Sequence, residues 1–150
     1  MASAHFRAGV VIVVRHPDLS RVMVFERVDQ PGSWQLPQGG MKAGEQPIEA
    51  AWRELGEETG LGEAEVVARA EFPDWIVYEW PDDVQATSGG THHRIGQAQK
   101  WFLFDAVSAG VVPTPDGIEF GAWQWVEPAW LLEHVVGWRR DAYTRVLGTL

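Results

Sequence analysis

The chain has 150 residues, no cysteine and a formal net charge of −9. These values exclude disulfides, thiol chemistry and zinc sites of the cysteine type, and the acidic balance argues against an extended nucleic-acid surface. No apolar run approaches the roughly 18 residues that span a bilayer and MASAHFRAG lacks the apolar core of a secretory signal, so the expectation is a cytoplasmic enzyme with no membrane partner, one domain over residues 1–150.

Residues Ala8 to Val14 are nearly all apolar and predict a buried strand. Pro17-Asp18 marks a turn, and Val22 to Arg27 predicts the return strand. Gly32-Ser33 marks a second turn before the extended Trp34-Gln35-Leu36-Pro37-Gln38.

The stretch from Gly39 to Leu61 follows, and the rest of the chain is organised around it. A glycine pair, Gly39-Gly40, lets a backbone approach a metal or phosphate closely, and Gly44-Glu45 makes a second turn with its own carboxylate. Pro47 suits the first turn of a helix and Gly60 the left-handed cap beyond its end. Gln46 is a poorer N-cap than Ser or Asp, and Glu49 three residues on compensates in part. Ile48, Ala51, Trp52 and Leu55 recur at helical spacing as one apolar stripe. At about 100° per residue, Glu54, Glu57 and Glu58 fall together on another face. Three carboxylates there repel one another, and a divalent cation with a taste for oxygen ligands relieves the repulsion. Arg53, four residues before Glu57, can hold one of them in position. Taken alone the glutamates read as a solvated face; the glycine pair and Glu45 ahead of them favour a site.

After the helix, Glu65–Phe72 and Trp75–Trp80 predict two strands separated by Pro73-Asp74. Pro81 to Gly96 is polar and holds His92-His93-Arg94, the composition of an exposed loop or of a flap over bound substrate. Gln97 to Val107 predicts a strand with Trp101, Leu103 and Asp105 on one side and Lys100, Phe102 and Phe104 on the other. Pro113 to Gly117 is turn-rich, and Glu119 to Val126 alternates like a strand. A helix from Pro128 offers Trp130, Leu131, His134 and Val135 as an apolar face. A terminal helix around Trp138–Leu147 packs Ala142, Tyr143, Val146 and Leu147, with Arg139, Arg140 and Arg145 outside. Nine tryptophans suit a core or a cleft wall, with one or two free to stack on a base. This pattern predicts an α+β fold, a mixed sheet flanked by helices.

Gly39, Glu45, Arg53-Glu54-Leu55, Glu57-Glu58 and Gly60-Leu61 resemble the Nudix box of the Nudix hydrolases at nine positions within 23 residues. The resemblance implies an α/β/α sandwich with a loop–helix–loop catalytic motif and Mg²⁺-dependent hydrolysis of a phosphoanhydride, Mn²⁺ being able to substitute. It implies that Glu54, Glu57 and Glu58 are catalytic metal ligands, joined by a backbone carbonyl near Gly39, while Glu45 pairs with Arg53 to brace the loop. Trp34–Gly40, Gln97–Phe102, Ile118-Glu119-Phe120, Trp123–Val126 and Trp138–Tyr143 are similar to bacterial RNA pyrophosphohydrolases and plant-type diadenosine polyphosphate hydrolases. On that similarity Glu119 is a further metal ligand or catalytic base, Arg27, Lys100 and Arg7 meet substrate phosphates, and Tyr78 lies near the bound base.

Each of the latter roles has a structural alternative. Lys100 can face solvent, Arg27 can pair with Glu26 or Asp29, Glu119 can be a polar strand edge and Tyr78 can be core packing. Val77, where RNA-processing members carry arginine, and the insertion Asp82–Arg94, poor in basic residues, weaken the RNA reading. The expected substrate is therefore a dinucleoside polyphosphate such as diadenosine tetraphosphate. The alternatives are the 5′ end of an RNA, a nucleotide sensor without catalysis, and a scaffold whose acidic helix merely faces solvent.

Overall fold

The computed structural model describes residues 5–83 and 94–150. In chain order the elements are β1 (His5–Arg15), β2 (Val22–Arg27), β3 (Trp34–Gln35), β4 (Gln38–Gly40), α1 (Pro47–Thr59), β5 (Val66–Glu71), β6 (Ile76–Glu79), β7 (Arg94–Ala106), β8 (Phe120–Val126), α2 (Pro128–His134) and α3 (Arg140–Leu147). A single 3-10 turn, Gly137–Arg139, precedes α3. The His92-His93 pair and most of the Asp82–Arg94 insertion lie outside the described residues. β7 begins at Arg94, three residues before the expected start at Gln97.

β1 and β7 run parallel along their whole length at the centre of the sheet. The sheet order is β3-β2-β1-β7-β5, with β4 on β1, β6 on β7 and β8 on β2. Because both faces of β1 are covered, Val10 to Val14 form an unbroken apolar run. Alternation sorts them: Val10, Ile12 and Val14 join Met23, Phe25, Phe102 and Phe104 under α1. Val11 and Val13 join Val22, Val24 and Trp101 under α2 and α3. The result is a mixed sheet flanked by helices on both faces, an α+β fold.

α1 starts where the chain allows it. Pro47 occupies the first turn, and the Gln46 N–H donates to the Glu49 carboxylate at 2.9 Å. It stops at Gly60, whose φ of 72° is left-handed and whose N–H donates to the Gly56 carbonyl at 2.9 Å. The buried stripe is Ala50, Ala51 and Leu55, with the Trp52 ring 4.6 Å from Phe104. Ile48, expected in the stripe, is 37% exposed; Ala50 takes its place against the sheet.

One ion pair ties the two central strands at their far end. Asp105 faces Arg15 across the β1–β7 register and accepts from its Nε at 2.7 Å and its Nη2 at 3.1 Å. Hydrogen bonding to Arg15, aided by Arg69, holds the Asp105 carboxyl below the usual range despite its burial. A depressed carboxylate stabilises the fold above its unfolded pKa and ceases to do so as pH falls through its folded one. Asp105→Asn is therefore expected to lose about 1–2 kcal/mol at pH 7, with the gap to the parent protein closing below about pH 4. Denaturant titrations across that range measure it, and a gap unchanged at acid pH would contradict the assignment.

Candidate active site

β4 and the second half of α1, from Arg53 on, meet through the glycine pair. Gly39 pairs with Val10 of β1, and a Cβ placed on it would run into the Glu54 carboxyl group. Only a residue without a side chain lets that carboxylate lie on the strand. The Gly39 carbonyl rests against Gly9, where a Cβ would stand 2.7 Å from it.

Arg53 organises the acidic residues. Its guanidinium donates to both oxygens of Glu45 at 2.7 and 2.9 Å, to Glu54 at 2.8 Å, to Glu57 at 3.3 Å and to the Gly40 carbonyl at 2.9 Å. Glu45 answers Arg53 with a carboxyl pulled down to about 2, and Arg53 is correspondingly raised. The turn before α1 is thereby bound to the helix.

The three box glutamates do not share one exposed face. The Glu57 side chain is 55% exposed and that of Glu54 only 12%. Glu58 is buried, 4% exposed, with an oxygen accepting from the Gln38 N–H at 3.3 Å. Around the helix Glu58 stands about 40° from Glu54 and about 60° from Leu55, so it turns inward with the apolar stripe. Burial, then the Glu119 and Glu54 carboxylates, push its carboxyl up to about 10. Glu119 is raised as well, by burial first, while Arg27 at 3.8 Å opposes the shift. Asp116 sets the Glu119 backbone by accepting from the N–H groups of Ile118, Glu119 and Phe120 at 2.9–3.0 Å. Carboxyl groups are thus concentrated at Glu54, Glu58 and Glu119, with Glu57 on the rim.

Among the described residues no three His, Asp or Glu side chains are gathered closely enough to hold a metal ion as they stand. Arg53 compensates Glu54 and Glu57 instead. The donor chemistry still fits a hard divalent cation: the acidic groups supply oxygen alone, and burial with neighbouring carboxylates makes Glu58 and Glu119 favour their protons, Arg27 and Arg139 offsetting only part of this at Glu119.

Two cavities adjoin here. One, of 550 Å³, is lined by Gly40, Lys42, Arg53, Glu54 and Glu57. The other, of 380 Å³, is lined by Arg27, Gln97, Glu119, Trp80, Trp138 and Arg139. Arg7 and Arg94 line both. Six of the twelve cationic side chains of an acidic protein therefore line the two cavities, four at each against two carboxylates, which reverses the local sign.

Of the expected phosphate contacts, Arg7 and Arg27 reach the cavities and Lys100 does not. Alternation along β7 sets Lys100 opposite to Gln97, and its amine donates to the Phe72 and Pro73 carbonyls at 3.2 and 3.0 Å. Arg27 is held by Asp29 at 2.8 Å and donates to Gln35 at 3.0 Å. Tyr78 stands behind the cavity, with its hydroxyl accepting from Gln97 at 3.2 Å and its ring 5.9 Å from Trp138. Burial raises its pKa. The aromatic rings on the cavity wall are Trp80 and Trp138.

Arg139 is not on a solvated face as expected. It is 8% exposed, donates to buried Gln35, and lies 4.5 Å from the Trp138 ring. The 3-10 turn ahead of α3 rotates it inward, away from Arg140 and Arg145. Its Nε has no hydrogen-bond partner among the described residues. Gln35, wholly buried, accepts from Arg27 and Arg139 together and so fixes two cations on the wall. Tyr143 ties α3 to the same place, its hydroxyl accepting from the Leu36 N–H at 3.1 Å. The sequence signal for this group was the Trp138-Arg139 pair, read as part of a solvated helix.

Comparison with known proteins gives consistent results. The NUDIX domain family matches residues 5–146. Nudix hydrolase 25 of Arabidopsis thaliana is 38% identical, over 96% of this chain and 85% of that protein. An RNA pyrophosphohydrolase of Cereibacter sphaeroides is 36% identical, over 94% of this chain and 86% of that protein. Among solved structures, the E. coli dihydroneopterin triphosphate pyrophosphohydrolase superposes with a TM-score of 0.75 at 18% identity, covering 99% of this chain and 100% of that one.

Proposed function

This chain belongs to the Nudix family of hydrolases, and from that premise we propose that it is a divalent-cation-dependent pyrophosphohydrolase acting on a nucleoside polyphosphate. The observation that carries the reading is the junction of two cavities. One, with Glu54 and Glu57 beside the glycine pair, opens next to one with two indole rings; four cationic side chains line each, and Arg7 and Arg94 belong to both. A nucleoside polyphosphate needs both: positive charge for its phosphates, an aromatic face for its base, and carboxylates where the anhydride breaks.

Glu54, Glu57, Glu58 and the Gly39 carbonyl would hold Mg²⁺, with Glu119 beside them. When bound, the cation supplies positive charge against the phosphoryl oxygens, which repel an attacking water. The chain's own residues do the rest. Glu119, with proton affinity raised by burial, accepts a proton from the attacking water. Arg27 and Arg139, held from behind by Gln35, align phosphoryl oxygens. Arg53 keeps the turn bearing Glu45 and Gly40 in register with the helix.

Relatives named RNA pyrophosphohydrolase, at 36% identity over most of both chains, support the triphosphorylated 5′ end of RNA as the first substrate to test. That reverses the order expected from sequence. Dinucleoside polyphosphates stay as the second reading because the net charge is −9 and half of the cations line two adjoining cavities, which suits a small ligand. No helix among the described residues is long and apolar enough to cross a membrane; a cytoplasmic location is part of the proposal.

The test is a substrate panel in ¹⁸O-labelled water with Mg²⁺, setting a short 5′-triphosphate RNA against diadenosine tetraphosphate. The expected result is hydrolysis that requires the cation, with label in one product identifying the attacked phosphorus. Mg²⁺ is also expected to raise the melting temperature. Turnover of the dinucleotide alone would favour the second reading. Nucleotide binding without hydrolysis of either would show a sensor.

A further inference from the structure

The site has more arginine than one phosphoryl group needs, and its arginines differ in how they are held. Arg53 is engaged by three glutamates, Arg27 by Asp29 and Gln35, and Arg139 by Gln35. Arg7 and Arg94 have no carboxylate within ion-pair distance among the described residues. They are the two side chains of that kind that line both cavities.

Their placement is built into the strands. Arg7 lies against the strand at Gly40, where a Cβ would meet its Nε at 2.7 Å, so it is fixed over the glycine pair. Arg94 pairs with His5 at the start of the β1–β7 ladder, but Phe6 then pairs with Gly96. The register slips there by one residue, and Ile95 is the extra one. In a regular strand Arg94 would point away from the side that Gln97 occupies. A slip of one residue restores it to that side, and Arg94 and Gln97 line the same cavity. Gly96 permits the slip, since a Cβ there would collide with the Tyr78 carbonyl of β6.

We propose that Arg94, together with Arg7, is the station that reads polyphosphate length: its guanidinium takes the phosphoryl groups lying between the reacting phosphorus and the nucleoside, and so favours chains of three or more phosphates over chains of two. The inference rests on the hydrolase reading above. Two guanidinium groups with no ion-pair partner among the described residues, lining the same seam, suit an anion of more than one charge, and their planar forks match phosphoryl oxygens in pairs. A two-phosphate chain that reaches the carboxylates and the indoles leaves less of its charge at this seam than a longer one.

The experiment compares Arg94→Gln and Arg94→Lys with the parent protein on ADP-ribose, diadenosine triphosphate and diadenosine tetraphosphate. A separate arm titrates inorganic tripolyphosphate and pyrophosphate by calorimetry without metal. Arg94→Gln is expected to raise KM for the tetraphosphate about tenfold more than for ADP-ribose, with the change in KM and not in kcat. Arg94→Lys is expected to recover part of the difference, because charge returns without the fork. The parent protein should prefer tripolyphosphate to pyrophosphate, and Arg94→Gln should lose that preference. An equal KM change on two and four phosphates, or a tripolyphosphate preference untouched by Arg94→Gln, would overturn the proposal. Arg94-dependent tripolyphosphate binding in a protein that hydrolyses none of these compounds would leave the station standing and remove the hydrolase reading alone.

Discussion

Glu57→Gln is expected to leave the fold as it is and to lower kcat by more than about a hundredfold at saturating Mg²⁺. The structure separates the two effects unusually well. The Glu57 side chain is 55% exposed, and among the described residues its one ion pair is with Arg53 at 3.3 Å. Arg53 keeps Glu45, Glu54 and the Gly40 carbonyl when Glu57 loses its charge. Stability should therefore change by no more than about 0.5 kcal/mol, as for other exposed pairs. A residue on a solvated face would leave turnover equally untouched. An oxygen donor to the cation would not, because an amide supplies a neutral oxygen where the phosphoryl charge must be offset. Melting temperature, kcat and the Mg²⁺ concentration for half-maximal rate are the three measurements. Turnover within a few-fold of the parent would remove Glu57 from the machinery and leave the acidic work to Glu54, Glu58 and Glu119.

That contrast also marks how far residue patterns could lead. The central strand was legible because a strand covered on both faces has no need of alternation, and Val10 to Val14 has none. The helix α1 was legible because Pro47 and Gly60 fix its ends by backbone chemistry that no partner is needed to supply. What failed were statements about which side of an element a polar residue takes. Glu58 lies between the glutamate face and the apolar stripe, and tertiary packing, not periodicity, turned it inward. Arg139 enters the site because one 3-10 turn shifts its phase and because Gln35, distant in sequence, offers it an acceptor. Lys100 lies on the strand expected of it, but backbone carbonyls of the β5–β6 connection take its amine. Arg94 depends on a one-residue slip in pairing, which leaves no mark in a single sequence.

Gly39→Ala is expected to reduce turnover by about a hundredfold or more while costing only about 1–3 kcal/mol of stability. Gly39 is not among the glycines with a positive φ, so alanine meets no backbone strain there. The effect is steric, and its target is one group: the added methyl would occupy the place of the Glu54 carboxyl. A flexible side chain gives way more readily than a strand, so the fold survives and Glu54 moves. Moving it separates a carboxylate from Arg53, which holds it at 2.8 Å, and from the neighbourhood of Glu58 and Glu119. If Gly39 acts through Glu54 alone, the double variant Gly39→Ala with Glu54→Gln should be no slower than Glu54→Gln by itself, a complete lack of additivity. Losses that add would mean that the Gly39 backbone contributes separately, as its carbonyl would in holding the cation. Turnover near the parent level in Gly39→Ala would show instead that Glu54 need not lie on the strand, and the cavity lined by Glu54 and Glu57 would no longer be the place where the anhydride breaks.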